Sequence, residues 1–211
     1  MLRIFFIVLI TLTNNPFSYS QNFGGGIILG VNTSQVGGDN LSGFHKAGPI
    51  IGFFSNKSIN SQINLQFEMY YTQKGSNNQD MNNNLNTNYF LPDITLKYIE
   101  TPLIIQYYLK NRLLLEGGIT AAYLMDGYYN DLYGKINNQS NFPFKKYDVG
   151  VVVGVNYKYS KTISFNTRLS NSVIPIGKED SSIFDATNNY NSINKGKYNS
   201  VLSISIYYHI V

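Results

Sequence analysis

The links between the strand-like segments of this chain alternate strictly between long and short, and that alternation limits the fold more than any other feature. Eight segments carry strand character, at residues 23–33, 47–55, 62–74, 94–109, 113–125, 147–159, 162–172 and 200–210. Residues 56–61, 110–112 and 160–161 form short links, whereas 34–46, 75–93, 126–146 and 173–199 form long ones. A soluble sandwich has no reason to sort its loops this way. A barrel that crosses an outer membrane does, because its periplasmic turns are short and its outer loops long.

The first twenty residues stand apart from the fold. Arg3 supplies a positive start, residues 4–12 an apolar stretch, and Ser18-Tyr19-Ser20 a small-x-small cleavage site before Gln21. This reads as a cleaved signal peptide (residues 1–20), since the apolar run is far shorter than the roughly 20 residues a membrane-spanning helix needs. Residues 21–211 then suit one domain. With no cysteine, a lipoprotein anchor, a disulfide framework and a thiolate nucleophile are all excluded. Lys+Arg number 16 against 12 Asp+Glu, without a basic block, so nucleic acid is not an expected partner. No later apolar run is long enough for a transmembrane helix, and the membrane question rests on strands.

Side chains of a strand alternate between two faces, and the segments obey that period. Ile63, Leu65, Phe67, Met69 and Tyr71 share one face, opposite Asn64, Gln66, Glu68, Tyr70 and Thr72. Leu202, Ile204, Ile206, Tyr208 and Ile210 oppose Ser203, Ser205, Tyr207 and His209. The segments at 147–159 and 162–172 behave alike. A soluble ligand-binding barrel would turn the apolar face inward, a membrane barrel outward. Three features favour the outward reading. Segments of about 9–13 residues can cover the apolar band when tilted. Aromatic residues collect near segment ends: Tyr107, Tyr157, Tyr159 and Tyr208 beside short turns or the last residue, and Tyr71 and Tyr123 beside long loops. This placement suits interfacial girdles. Finally, the polar face carries Glu and Arg at mid-strand.

Closure follows from energetics, because unpaired backbone groups cost several kcal/mol each in hydrocarbon. The expected fold is therefore all-β: an eight-stranded antiparallel transmembrane barrel, just wide enough to be filled by its own side chains. Pro49 and Pro102 each remove a ladder donor, which predicts a bulge or local break at each. At Pro49 the simpler expectation is a strand that starts just after it.

The run Tyr98-Ile99-Glu100-Thr101-Pro102-Leu103 follows Glu68-Met69-Tyr70-Tyr71-Thr72-Gln73-Lys74-Gly75 and precedes Leu115-Glu116-Gly117-Gly118. Together these resemble the PorT-like outer-membrane β-barrel family of Bacteroidetes, with its E-x-x-Y-x-x-K-G strand end, Y-x-E-x-P-L and glycine-rich strand. The resemblance runs through the mature chain and implies an eight-stranded outer-membrane barrel. It also implies a link to protein secretion through the family's founder. The final residues, Tyr207-Tyr208-His209-Ile210-Val211, depart from the usual Phe or Trp end of barrel assembly signals.

The inferred lumen face carries Glu68, Glu100, Glu116 and Arg168, with Lys158 nearer the periplasmic end. Charges in a narrow interior must pair or neutralise, so Arg168 is expected to bridge at least one of the three glutamates. The alternative is a gate or a proton-linked path, in a narrow transport or signalling pore. No catalytic, metal or cofactor site is expected. His209 lies at the periplasmic end, and His45 could reach Asp39 without any marked nucleophile nearby. Gly24-Gly25-Gly26-Ile27-Ile28-Leu29-Gly30 lacks the strand before and helix after that a dinucleotide loop needs. Asp80, Asp93, Asp126, Asp131, Glu179 and Asp180 lack calcium-loop spacing. The long loops, rich in Asn, Ser and Tyr (Tyr128, Tyr129, Tyr133 and Tyr190), read first as solvated connections and second as a contact surface. The expected protein is thus a monomeric, non-catalytic envelope scaffold or loop-mediated interaction protein in the cell outer membrane. Its expected partners are membrane lipid and, through the loops, envelope or secretion-machinery proteins.

Overall fold

The computed structural model describes residues 23–37, 44–77, 93–131, 134–137, 142–177 and 197–210. The signal-peptide residues, Asp39, Asp80 and most of the long-loop residues lie outside them. The strands are β1 (Phe23–Gly37), β2 (Lys46–Ser58), β3 (Ile63–Ser76), β4 (Asp93–Lys110), β5 (Leu113–Asp131), β6 (Gly134–Asn137), β7 (Tyr147–Lys158), β8 (Ile163–Ser172) and β9 (Tyr198–Ile210). Eight of them close into a ring, β1-β2-β3-β4-β5-β7-β8-β9, in which every neighbouring pair is antiparallel. The seam runs from Gly25↔Ile210 to Gly37↔Tyr198. Closure leaves the ring no free edge, as a hydrocarbon environment demands.

Parity decides the two faces. Leu65, Phe67, Leu103, Ile105, Val151, Val153, Ile204 and Ile206 are exposed on the outer wall, while Asn64, Gln66, Glu68, Glu100, Glu116, Asn166 and Arg168 are buried inside. The polar face therefore forms the interior, the reverse of a soluble barrel.

Several boundaries differ from the sequence expectation. The outer ends of the strands reach past the apolar band, so that residues 34–37 and 126–131 belong to strands rather than loops. β5 folds back on β6 as an added hairpin between Tyr128↔Asn137 and Asp131↔Gly134. β2 begins at Lys46, not after Pro49, because Pro49 still registers with Val31 of β1. Only the ladder to β3 waits until Ile50↔Thr72. Pro102 does break pairing locally. The β3–β4 ladder passes from Phe67↔Leu103 to Tyr70↔Glu100, while Pro102 still registers with Thr120 on the other side.

The interior holds two apolar clusters besides its polar middle. Near the periplasmic end Ile28, Ile50, Phe54 and Tyr207 pack together. At the outer end Val36, Ile94, Leu96, Tyr98, Ala122 and Leu124 point inward and meet Phe142, Phe144 and Ile176. The last three come from the connections flanking β7 and β8, which fold into the mouth rather than standing in solvent. Backbone contacts stitch them down: Phe144 bridges Gly177, Lys145 N–H donates to Ile176 O at 2.7 Å, and Ile176 N–H donates to Lys197 O at 2.8 Å. An apolar plug thus closes the outer mouth.

Candidate functional site: a filled lumen

Arg168 organises the middle of the barrel. It projects inward from β8, and in an eight-strand ring β3, which carries Glu68, is diametrically opposite. Its Nη1 donates to Glu68 Oε2 at 2.7 Å and its Nη2 to Oε1 at 2.8 Å, a two-pronged pair that spans the lumen. Its Nε donates to Glu116 Oε2 at 2.6 Å. That third contact depends on Gly154. Glu116, Gly154 and Arg168 are successive cross-strand partners on β5, β7 and β8. A Cβ on Gly154 would stand 2.6 Å from Arg168 Cγ, so the bare backbone of β7 is what lets the arginine lie across it. The planar guanidinium suits this geometry, where a lysine would be a single point charge.

Both carboxylates are satisfied as acceptors. Glu68 Oε1 also receives Gln66 Nε2 at 2.5 Å and the Tyr207 hydroxyl at 3.1 Å. Glu116 receives Asn166 Nδ2 and Gln106 Nε2, each at 2.7 Å. The Tyr207 ring lies 5.6 Å from the guanidinium carbon. Fully desolvated charges persist only when their remaining hydrogen-bonding capacity is met, and these side chains meet it.

Glu100 goes elsewhere. Its Oε2 lies 2.7 Å from Lys74 Nζ, and its Oε1 accepts the Thr120 hydroxyl at 2.7 Å. Lys74 and Glu100 are each about 95 % buried or more. Lys74 also lies over the Tyr98 ring at 5.4 Å. The sequence reading missed Lys74, although it lies on the face shared by Glu68, Tyr70 and Thr72, six residues beyond Glu68. It missed Asp148 likewise, which accepts Asn199 Nδ2 at 2.9 Å and lies two residues before Gly150 on the inner face of β7. Next to Lys74, Gly75 has φ +152° and its N–H donates to Ser34 Oγ at 2.9 Å. A side chain at Gly75 would collide with Ile94 O.

Lys158 is not part of the carboxylate network. It hydrogen-bonds Tyr108 OH and lies over that ring at 4.8 Å, near the periplasmic opening. His209 packs edge-on against Phe54 at 5.0 Å and shares a hydrogen bond with Ser164 Oγ at 2.9 Å. On the outer wall Tyr107, Tyr123, Tyr157, Tyr159 and Tyr208 are exposed, and Tyr71 is half-buried. Toward the outer end of the barrel, Lys46 pairs with Asp93 at 3.2 Å and Lys97 with Asp126 at 2.8 Å. Among the described residues, no group of three or more His, Cys, Asp or Glu side chains is placed to hold a metal ion.

Residues 16–178 match the model of a family described as outer membrane protein beta-barrel domain. The chain belongs to that family. This places the outer membrane barrel in its expected setting, with the apolar wall facing lipid. Solved barrels of the same shape have little sequence in common with it. Ail, the attachment invasion locus protein of Yersinia pestis, superposes with a TM-score of 0.53 at 10% identity, covering 89% of this chain and 98% of Ail. Neisserial surface protein A gives 0.50 at 13% identity, covering 88% of this chain and 96% of its own. At such identity the likeness concerns the fold alone. No curated protein matches this outer membrane beta-barrel domain in sequence.

Proposed function

We propose that this barrel is a closed, non-catalytic membrane scaffold, and that whatever it recognises it recognises through its outer loops. The observation that carries this reading is the double obstruction of the lumen. Arg168 ties opposite walls together through Glu68 and Glu116, and an apolar plug built on Phe142, Phe144 and Ile176 sits above it. A small barrel filled by its own side chains has no aqueous path to offer. The plug also anchors the bases of two long connections in the mouth. Short turns on the periplasmic side and long loops outside complete the proposed orientation.

Planar-bilayer recordings on the purified protein test the closed state. No stable conductance above the bilayer baseline is expected. Steady, ohmic channels would overturn the reading and favour a transport or signalling pore.

Membership of the PorT-like group and service to a secretion machine belong to the same proposal. What supports them is that two of the three motifs behind the resemblance meet in one ion pair, Lys74 with Glu100. Crosslinking in native membranes tests the association. Recovery of envelope secretion components linked to outer-loop positions is expected, and recovery of lipid and abundant bystanders alone would remove the secretion link.

A further inference from the structure

The acidic side chains of this chain are unevenly placed along the barrel axis, whereas its cations occur at both ends. Its acidic side chains lie in the lumen or toward the long loops, and none occurs in residues 55–67, 101–115, 149–178 or 186–211. Those stretches include every short turn and the periplasmic ends of all strands but β1, whose first residues, 23–26, carry no acidic side chain either. The same end carries Lys57, Lys110, Arg112, Lys158 and Lys161. Outside, cations are matched by carboxylates, as in Lys46–Asp93 and Lys97–Asp126. Among the described residues, the periplasmic rim carries no aspartate or glutamate.

These cations are distributed around the perimeter rather than gathered on one side. Lys57 lies on the outer face of β2 just before the β2–β3 turn, Lys110 and Arg112 frame the β4–β5 turn, and Lys161 lies in the β7–β8 turn. Lys110, Arg112 and Lys161 are exposed. Lys57 reaches down over the Phe23 ring at 5.4 Å. Lys158 is directed inward to Tyr108 and adds to the potential without facing lipid. Interleaved with these cations, at the same end of the wall, are exposed Phe23, Tyr107, Tyr157, Tyr159 and Tyr208. Aromatic rings of that kind sit at headgroup depth.

We infer that the periplasmic rim is a binding collar for the phosphate groups of anionic phospholipids in the inner leaflet, with Lys57, Lys110, Arg112 and Lys161 as its phosphate contacts. The inference rests on the proposed orientation. A ring interrupted by lipid-facing aromatics fits a leaflet that surrounds the barrel on every side, whereas a soluble acidic partner would need a contiguous basic face on one side. Basic residues close to a membrane surface attract acidic lipid by about 1 kcal/mol each, and salt screens that attraction.

The test uses the mature protein folded into vesicles of phosphatidylethanolamine and phosphatidylglycerol at a fixed ratio, then released for native mass spectrometry. Retained phosphatidylglycerol should exceed its share of the vesicle by about fivefold, the ratio that one such contact gives. The K57Q/K110Q/R112Q/K161Q variant should retain lipid at the bulk ratio, while K57R/K110R/K161R and the outer-end control K97Q/K146Q keep the enrichment. A heat-dependent gel shift verifies that each variant is folded and would itself fail if the membrane-barrel reading were wrong. Should the quadruple variant not fold, the wild type in high salt replaces it, and loss of enrichment is the expected result. Wild-type retention at the bulk ratio, or enrichment that survives the four substitutions or high salt, would overturn the collar and leave a soluble acidic partner as the reason for the charge.

Discussion

At the scale of single residues, the arginine at the centre of the lumen carries the largest consequence. Arg168 neutralises two carboxylates carried by strands that are not neighbours, β3 and β5. Replacing it with methionine keeps much of the volume but leaves Glu68 and Glu116 buried without a counter-charge. Breaking one side of a buried pair costs roughly 3–5 kcal/mol, and R168M is expected to lower the urea midpoint of the vesicle-embedded barrel accordingly. K97M, which removes a surface pair with Asp126, should change stability by less than about 1 kcal/mol. Equal effects from the two substitutions would show that the lumen network is not what holds the walls in place. Gly154 belongs to the same unit, since the arginine can reach Glu116 only over a residue without a side chain.

At the scale of elements, the strands and the connections were unequally legible. Period-two alternation gave the inner and outer faces because a pleated strand cannot present them otherwise. The same period puts Glu68, Glu100, Glu116 and Arg168 on the inner face. Which glutamate each cation would take was not readable, because pairing across a ring depends on register. Lys74 could have been found by extending the polar face of β3 by two residues past Thr72. The plug was beyond reach, since Phe142, Phe144 and Ile176 lie in aperiodic segments where nothing distinguishes an inward-folded aromatic from an exposed one. The chain has no cysteine, so a single thiol can report on the plug. A122C places it in the buried outer cluster that includes Phe142 and Phe144. Labelling by a membrane-impermeant maleimide should be slow in that background and roughly tenfold or more faster after F142S/F144S, because the site then opens without global unfolding. Equal rates would mean that the two connections do not seal the mouth.

For the molecule as a whole, the polar interior and apolar wall make one commitment to solvent. Placed in water, this barrel would expose Leu65, Phe67, Val151, Val153, Ile204 and Ile206 while burying Glu68, Glu100, Glu116 and Arg168, which is unfavourable on both counts. Fractionated cells should therefore hold the protein in the membrane pellet, and unboiled samples should migrate differently from boiled ones on denaturing gels. Release into the soluble fraction with no shift on boiling would end the membrane assignment. Pro49 and Pro102 show how closure tolerates local defects, since each still registers with a neighbouring strand on one side.

The seam between β1 and β9 has a further consequence, and it concerns time. These strands stand at opposite ends of the sequence yet register from Gly25↔Ile210 to Gly37↔Tyr198. Until the last strand arrives, the growing sheet has two open edges, each able to pair with a foreign strand. The contacts that give the barrel its final shape therefore have the largest loop-closure cost. Something must keep those edges apart from other chains during transit, or the membrane must receive them already poised to meet.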